Sequence, residues 1–380
     1  MFTQQLRLID SQWNNEVDAQ IANCSQVLMI VMGDLCANED ALRKLREQVP
    51  HAQMVGATTS GEFLNDGLED NGLSATLIGF RCTQIRATAQ LIQTPQESYD
   101  TGASIASELN ADDLQLILVL SDGLEVFGSD LTRGLTENCH DSVAITGGLA
   151  GDDSKFEKTY TLLNDSVVSK QIVAVGLYGQ NLSVSHGSRG GWTPFGPERL
   201  VTSSQGHELL ELDHQPALDV YKSYLGDLVD QLPGIGLRYP LEILQPGSDT
   251  KLVRTMLAID ESRQSITFAG GIPKGSTARL MRANVDAIID GAAGAIQICT
   301  EQLPEPQLAL LVSCVGRKQI LKQMADEELE VVRDALPSTT MICGFYSYGE
   351  ICPMDNCHRA ELHNQTMTIT CISELGCTDC

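Results

Sequence analysis

The sequence predicts a mixed α/β (α+β) fold, with internally duplicated mixed sheets flanked by helices. A four-layer αββα sandwich would bury two such sheets face to face. Three observations carry this expectation. Strand and helix signals alternate, and the order strand, helix, several strands occurs twice within the first 190 residues. Two similar segments, GATTSGE at 56–62 and GFYSYGE at 344–350, stand near opposite ends of the chain. A chain of 380 residues with 42% hydrophobic content is long enough for two domains and a large core.

The elements follow in order. Residues 27–32 (VLMIVM) form a buried-strand run. Residues 38–49 read as an amphipathic helix, with Leu42 and Leu45 on one side, stopped by Pro50. A short strand at 53–56 leads into GATTSGE, and 73–80 with 84–93 read as a strand pair. The order then repeats, with helix 101–109, buried strand 114–120, helix 126–138 and strand 143–146. The glycine-rich GGLAGDD at 147–153 comes next, then strands at 158–164, 167–178 and 182–189. The Gly- and Pro-rich 189–197 reads as a connector. Beyond it come strand runs at 199–203 and 208–213, helix 217–225, and strands at 252–259, 265–269 and 277–281. Helix 284–299, buried strand 308–313, helix 327–335 and strands at 341–344 and 361–372 complete the chain. The expected division is 1–190, a connector at 191–198, and 199–380.

Charge narrows the function. Against 25 basic residues stand 50 acidic ones, a net charge of −25. Such a chain lacks the basic stripe that displaces counterions from nucleic acid, and it is repelled by anionic membrane surfaces. No signal peptide and no membrane-length apolar run is visible, so a cytoplasmic location is expected.

The paired segments are the first candidate site. Each is Gly-x-x-Ser/Thr-x-Gly-Glu in outline, with Ser60 set against Ser347. Gly56, Gly61, Gly344 and Gly349 permit tight turns and close ligand approach. Thr58, Thr59, Ser60, Tyr346, Ser347 and Tyr348 offer hydroxyls, and Glu62 and Glu350 accept bonds from a ligand amine. Two such loops facing one another build a pocket from both ends of the chain. The plainer alternative is that both glutamates cap turns. Arg317 is placed to bind a carboxylate in bidentate fashion, or else to form a surface salt bridge. Asp152 and Asp153 suit either a cation or a turn.

Twelve cysteines are expected to be mostly reduced. Cys24, Cys36, Cys82, Cys139 and Cys299 read as small core residues. Six cysteines crowd into 343–380, where Cys377-x-x-Cys380 and Cys352-x4-Cys357 have metal-ligand spacing for zinc or an iron–sulfur cluster. A redox pair, or no special role, are the alternatives. Enzyme signals are weak. Ser121-Asp122-Gly123 is no nucleophile elbow, and no partner spacing supports Cys314 as a nucleophile. No enzyme is expected.

In this order and spacing, several segments resemble the FIST family of sensory proteins over nearly the whole chain. GATTSGE and GGLAGDD look like its N-terminal region. HGSRGGWTPFGP at 186–197 resembles the linking pattern, with Ser188 where a cysteine is usual. ELLELDHQPALDVY at 208–221, SCVGRK at 313–318, GFYSYGEICP at 344–353 and LHNQTMTIT at 362–370 resemble the C-terminal region. The division at 191–198 then separates a FIST N-terminal from a FIST C-terminal region. The resemblance implies a stand-alone sensor that binds a small ligand and signals to a partner. Stand-alone bacterial members resemble nitric-oxide-sensing haem proteins that regulate a separate histidine kinase and so influence biofilm formation. A haem here would be b-type, since no Cys-x-x-Cys-His occurs. His363 is its first candidate axial ligand and His186 its second, with Arg317 for a propionate. An amino-acid-type ligand is the broader alternative. Homodimerisation is left open.

Overall fold

Three stretches of the chain fold alike, because each supplies a buried apolar strand, an amphipathic helix and a second short strand. In the computed structural model, which describes residues 1–70, 72–248, 250–354 and 359–376, the first unit is Gln26–Gly33, helix Glu39–Gln48 and Gln53–Ala57. The second is Leu114–Ser121, helix Gly128–Glu137 and Ala144–Leu149. The third is Leu308–Cys314, helix Ala325–Asp334 and Met341–Ser347. In every unit the two strands pair in parallel. A later strand then runs antiparallel to the first: Leu73–Phe80, Gln171–Tyr178 or Met367–Glu374.

Period-two alternation decides which side chains go where. Leu28, Ile30 and Met32 enter one central core shared with Leu116, Leu118 and Leu120 of the second unit and Leu308, Leu310 and Val312 of the third. Their neighbours Val27, Met29 and Val31 face outward and are covered by Leu42 and Leu45 of the first helix. Leu131 and Leu135 cover the second sheet, and Leu329 and Val332 the third. The class is therefore mixed α/β, as the sequence predicts. The repeat occurs three times rather than twice, and the sheets meet about one common core rather than as two stacked faces.

The strand after each repeat loop does not return to its own sheet. Glu62–Leu64 pairs with Met341–Ser347 of the third unit. Gly349–Pro353 pairs with Ala144–Leu149 of the second. Thr161–Leu163 pairs with Gln53–Ala57 of the first. Each unit thus donates a strand to the next around a closed cycle. A further strand also crosses: Leu73–Phe80 stays in the first sheet, whereas Gln84–Leu91, next in sequence, pairs in the second. They are not a hairpin, because the second of them completes the edge of the neighbouring sheet.

One glycine in each unit makes the parallel pairing close. Gly56 lies opposite Val31, Gly147 opposite Val119 and Gly344 opposite Leu311. A Cβ at any of the three would collide with the opposing carbonyl oxygen, so only glycine fits.

Between the second and third units an additional lobe is inserted. The 191–198 segment is no loose connector: most of it lies in the 13-residue strand Thr193–Gln205 of an eight-stranded sheet. That sheet has its own core, with Val201, Leu209, Phe268 and Tyr221 wholly buried. Arg254, 2% exposed, anchors the lobe by donating from Nη1 to the Leu362 carbonyl at 2.9 Å. Among the described residues no helix is long and apolar enough to cross a membrane.

Two glycine substitutions test the packing. Gly344→Ala is expected to lower unfolding free energy by about 3 kcal/mol, through the clash with the Leu311 carbonyl. Gly67→Ala, whose Cβ meets nothing within 4 Å, is expected to stay within about 0.5 kcal/mol of wild type. Urea denaturation of both variants checks this.

Candidate functional site

The exchanged strands fix which loop residues are equivalent. Glu62 pairs with Phe345, one residue beyond Gly344, and Glu350 pairs with Gly148, one beyond Gly147. In the second unit the equivalent of both glutamates is Thr161, which pairs with Ala57 beyond Gly56. The setting of Ser60 against Ser347 is therefore one residue out of step. Thr59 is the counterpart of Ser347, since the Thr59 hydroxyl donates to Glu62 Oε1 as the Ser347 hydroxyl donates to Glu350 Oε1. The spacing from glycine to glutamate is the same in the first and third units, and eight residues longer from Gly147 to Thr161. That longer loop breaks the symmetry, and beside it a cavity opens.

The cavity, of about 170 Å³, lies between the first and second loops rather than between the first and third. It is lined by Cys36, Thr59, Glu62, Asp153, Lys155 and Lys158 among others. Main-chain bonds hold its walls together. Thr58 N–H donates to the Tyr160 carbonyl at 2.9 Å, Gly151 N–H to the Thr58 carbonyl at 2.9 Å, and Tyr160 N–H to the Thr58 hydroxyl at 3.0 Å. Thr58 is thus spent on structure. Ser60 is 1% exposed and its main chain bonds to Tyr346 of the third loop, so it lies behind the cavity wall.

Glu62 is the cavity's distinctive group. Its side chain is 1% exposed. One oxygen accepts from Thr59, and Oε2 has no partner. Desolvation pushes its carboxyl up to about 8, with Glu69 and Asp70 adding to the shift and the Thr59 bond and Lys318 opposing it. Glu62 is therefore mostly protonated at neutral pH. At the mouth, Asp153, Lys155 and Lys158 are exposed, and a hydrogen bond with Tyr160 raises the Lys158 ammonium above its ordinary value. Asp152 takes the turn role, not a cation. It accepts from the Phe156, Glu157 and Lys158 N–H groups at 2.8, 2.7 and 2.9 Å and from the Tyr348 hydroxyl. Burial pushes Asp152 up, but these bonds outweigh it and hold the carboxyl below its usual value.

The third loop's glutamate does not face the first cavity. Glu350 is wholly buried and pushed up to about 8 by desolvation, yet both its oxygens are occupied. Ser347 bonds one, and the Thr366 N–H and hydroxyl bond the other at 3.1 and 2.8 Å. Tyr346 donates to Glu328 Oε1 at 3.0 Å. Arg317 is neither a ligand clamp nor a surface salt bridge. Completely buried, it pairs with Glu328 through Nε and Nη2 and donates to the carbonyls of Ile288 and Gly190. Glu350, Ser347, Tyr346 and Arg317 are thus interior framework.

The two candidate axial histidines are not placed to hold a haem. His363 is 6% exposed, with Nε2 3.1 Å from the Cys352 carbonyl and Nδ1 3.4 Å from the Ser188 hydroxyl, so neither ring nitrogen faces an open axial position. His186 sits mid-strand opposite Thr370 and does not line the Glu62 cavity. Of the proposed metal cysteines, Cys352 is wholly buried on strand Gly349–Pro353. Cys357, Cys377 and Cys380 lie outside the described residues. Among the described residues no three His, Cys, Asp or Glu side chains are grouped to hold a metal ion. Burial raises the Cys314 thiol, the opposite of what activates a nucleophile. Of the five expected core cysteines only Cys299 is fully buried. Cys24 and Cys139 are half-buried, Cys36 is exposed beside the cavity, and Cys82 is disulfide-bonded.

Residues 27–215 match the FIST N domain and residues 217–353 the FIST C domain; the chain belongs to the FIST family. FIST domains are sensory modules that bind small ligands in signal transduction. A protein of Methanocaldococcus jannaschii, itself uncharacterized, is 23% identical over 344 residues, covering 81% of this chain. The chain spans 64% of that relative's length. Among solved structures, a chorismatase aligns over 98% of this chain and 97% of its own at 10% identity, with a TM-score of 0.37. A cyanuric acid hydrolase aligns over 74% and 99% at 10% identity, with a TM-score of 0.25. Scores this low decide neither fold nor chemistry.

The buried charges make stability depend on pH and on pairing. Native Glu62 titrates near 8 and an unfolded glutamate near 4.5, so the native state holds more protons across that window and stability falls as pH rises through it. Glu62→Gln, which mimics the protonated form, is expected to flatten the decline of melting temperature between about pH 6 and 8. Arg317→Met, which strands the Glu328 carboxylate, is expected to cost about 3–5 kcal/mol, and adding Glu328→Leu to recover most of it. Chemical denaturation of the single and double variants measures this.

Proposed function

We propose that this chain is a sensor that takes a small zwitterionic ligand of the amino-acid class into the cavity beside Glu62. The observation that carries the reading is the buried, unpartnered Oε2 of Glu62 in a cavity whose mouth carries two lysines. A buried carboxyl oxygen without a partner is costly unless something else satisfies it. A ligand ammonium does so, and its charge favours the ionised form of Glu62. The ligand carboxylate then meets Lys155 and Lys158, and Asp153 adds a second acceptor for the ammonium. The limited volume favours a small side chain.

Signalling needs a difference between free and occupied states. The cavity wall at 152–158 has three non-glycine residues with left-handed backbone, Asp153, Ser154 and Phe156, at φ of 58, 63 and 55°. Local strain of this kind is held by its surroundings, and a ligand bridging Lys155 and Lys158 to Glu62 changes those surroundings. A separate histidine kinase is the partner that the family resemblance implies, and the loop at 152–158 is the surface we assign to its recognition.

Isothermal titration calorimetry with a panel of amino acids, in two buffers of different ionisation enthalpy, tests the proposal. The expected result at pH 7 is saturable binding of a small amino acid with release of about one proton per site, as Glu62 ionises. Glu62→Gln is expected to abolish the proton release and weaken binding at least about tenfold. Absence of saturable binding, or binding and proton release unchanged in Glu62→Gln, would overturn it.

A further inference from the structure

The lengthened second loop also walls a cavity on its other side, at the seam between the inserted lobe and the second unit. We propose that this second cavity binds a small phenol-type aromatic molecule.

Its volume is about 200 Å³, and a cavity of roughly 150 Å³ is large enough for a benzene ring. The body contributes Phe127, Phe156 and Leu362, and the lobe contributes His207, Leu257 and Phe268. The ring faces are already arranged for stacking. Phe156 lies on Tyr348 with centroids 4.4 Å apart and planes inclined by 11°. Phe127 lies against the His207 ring at 4.5 Å and 36°. A planar ring inserted among such faces gains offset-stacked or edge-to-face contacts beyond simple burial.

A second observation is independent of the cavity's shape. Leu257 and Phe156 are 47% and 45% exposed, among the few large apolar side chains left to water, and both line this cavity. A bound ring would cover part of that apolar surface, which is the driving force such sites use.

The ring needs a polar substituent because of His207. The His207 imidazole lines the cavity against Phe127 while its main-chain carbonyl accepts from the Phe268 N–H at 2.9 Å, and burial lowers its pKa below the ordinary value, which favours the neutral imidazole. A neutral imidazole that donates through one nitrogen accepts through the other. A phenolic O–H supplies that donor, whereas benzene leaves the acceptor unsatisfied. Asp152 and Tyr348, joined by a hydrogen bond, separate this cavity from the one beside Glu62.

Fluorine NMR of 4-fluorophenol titrated with the full chain tests the assignment, with fluorobenzene as comparison. Saturable broadening and shift of the 4-fluorophenol resonance are expected with wild type. They should vanish in Leu257→Trp, which fills the mouth from an exposed position, and saturate at about tenfold higher concentration in His207→Leu. Circular dichroism confirms that both variants stay folded. No saturable perturbation with wild type, or an unchanged one in Leu257→Trp, would overturn the site. Fluorobenzene binding as tightly as 4-fluorophenol would overturn the phenol assignment.

Discussion

The cyclic exchange of strands is the constraint on which the rest depends. A strand that leaves its own unit and pairs with the next must cross close to a parallel pair, and at each crossing a glycine lies where any Cβ would strike a carbonyl oxygen. The exchange ties the three units into one interior, so none can bury its inner face alone. It also carries whatever follows each loop inward. In two units that residue is a glutamate, and for this reason two carboxyls end up away from water.

Those two carboxyls show how one motif acquires two roles. Glu62 and Glu350 are both pushed up to about 8 by desolvation, so protonation alone does not distinguish them. Partners do. Glu350 is surrounded by donors from Ser347 and Thr366, whereas Glu62 keeps a free oxygen. The difference originates in the second unit, where threonine replaces the glutamate and eight further residues enter the loop. Those residues carry the cavity's lysines on one side and Phe156 on the other. Both proposed binding sites thus lie where the repeat is imperfect.

Much of the scaffold was legible in the sequence, because buried strands such as 27–32, 114–120 and 308–313 are continuous apolar runs and the helices carry clear amphipathic faces. What escaped was non-local. No local signal shows that Gln84–Leu91 pairs with Gln171–Tyr178 instead of with Leu73–Phe80, its neighbour in sequence. Arg317 looked like a ligand clamp because its partner, Glu328, stands on a separate helix. His363 looked available because the carbonyl and hydroxyl that engage it belong to other strands. Within the site, Glu62 and the loop hydroxyls were readable as a motif. Lys155 and Lys158 became legible only once the glycines were superposed and the longer loop stood out.

The carboxyl region of the infrared difference spectrum, recorded near neutral pH with and without a saturating amino acid, tests the central claim most directly. A protonated-carboxyl band should be lost when the ligand binds wild type and should be missing from the difference spectrum of Glu62→Gln. Glu350, protonated in both states, cancels from the difference. No loss of protonated-carboxyl absorbance when the ligand binds wild type, or a loss that Glu62→Gln leaves unchanged, would contradict the account.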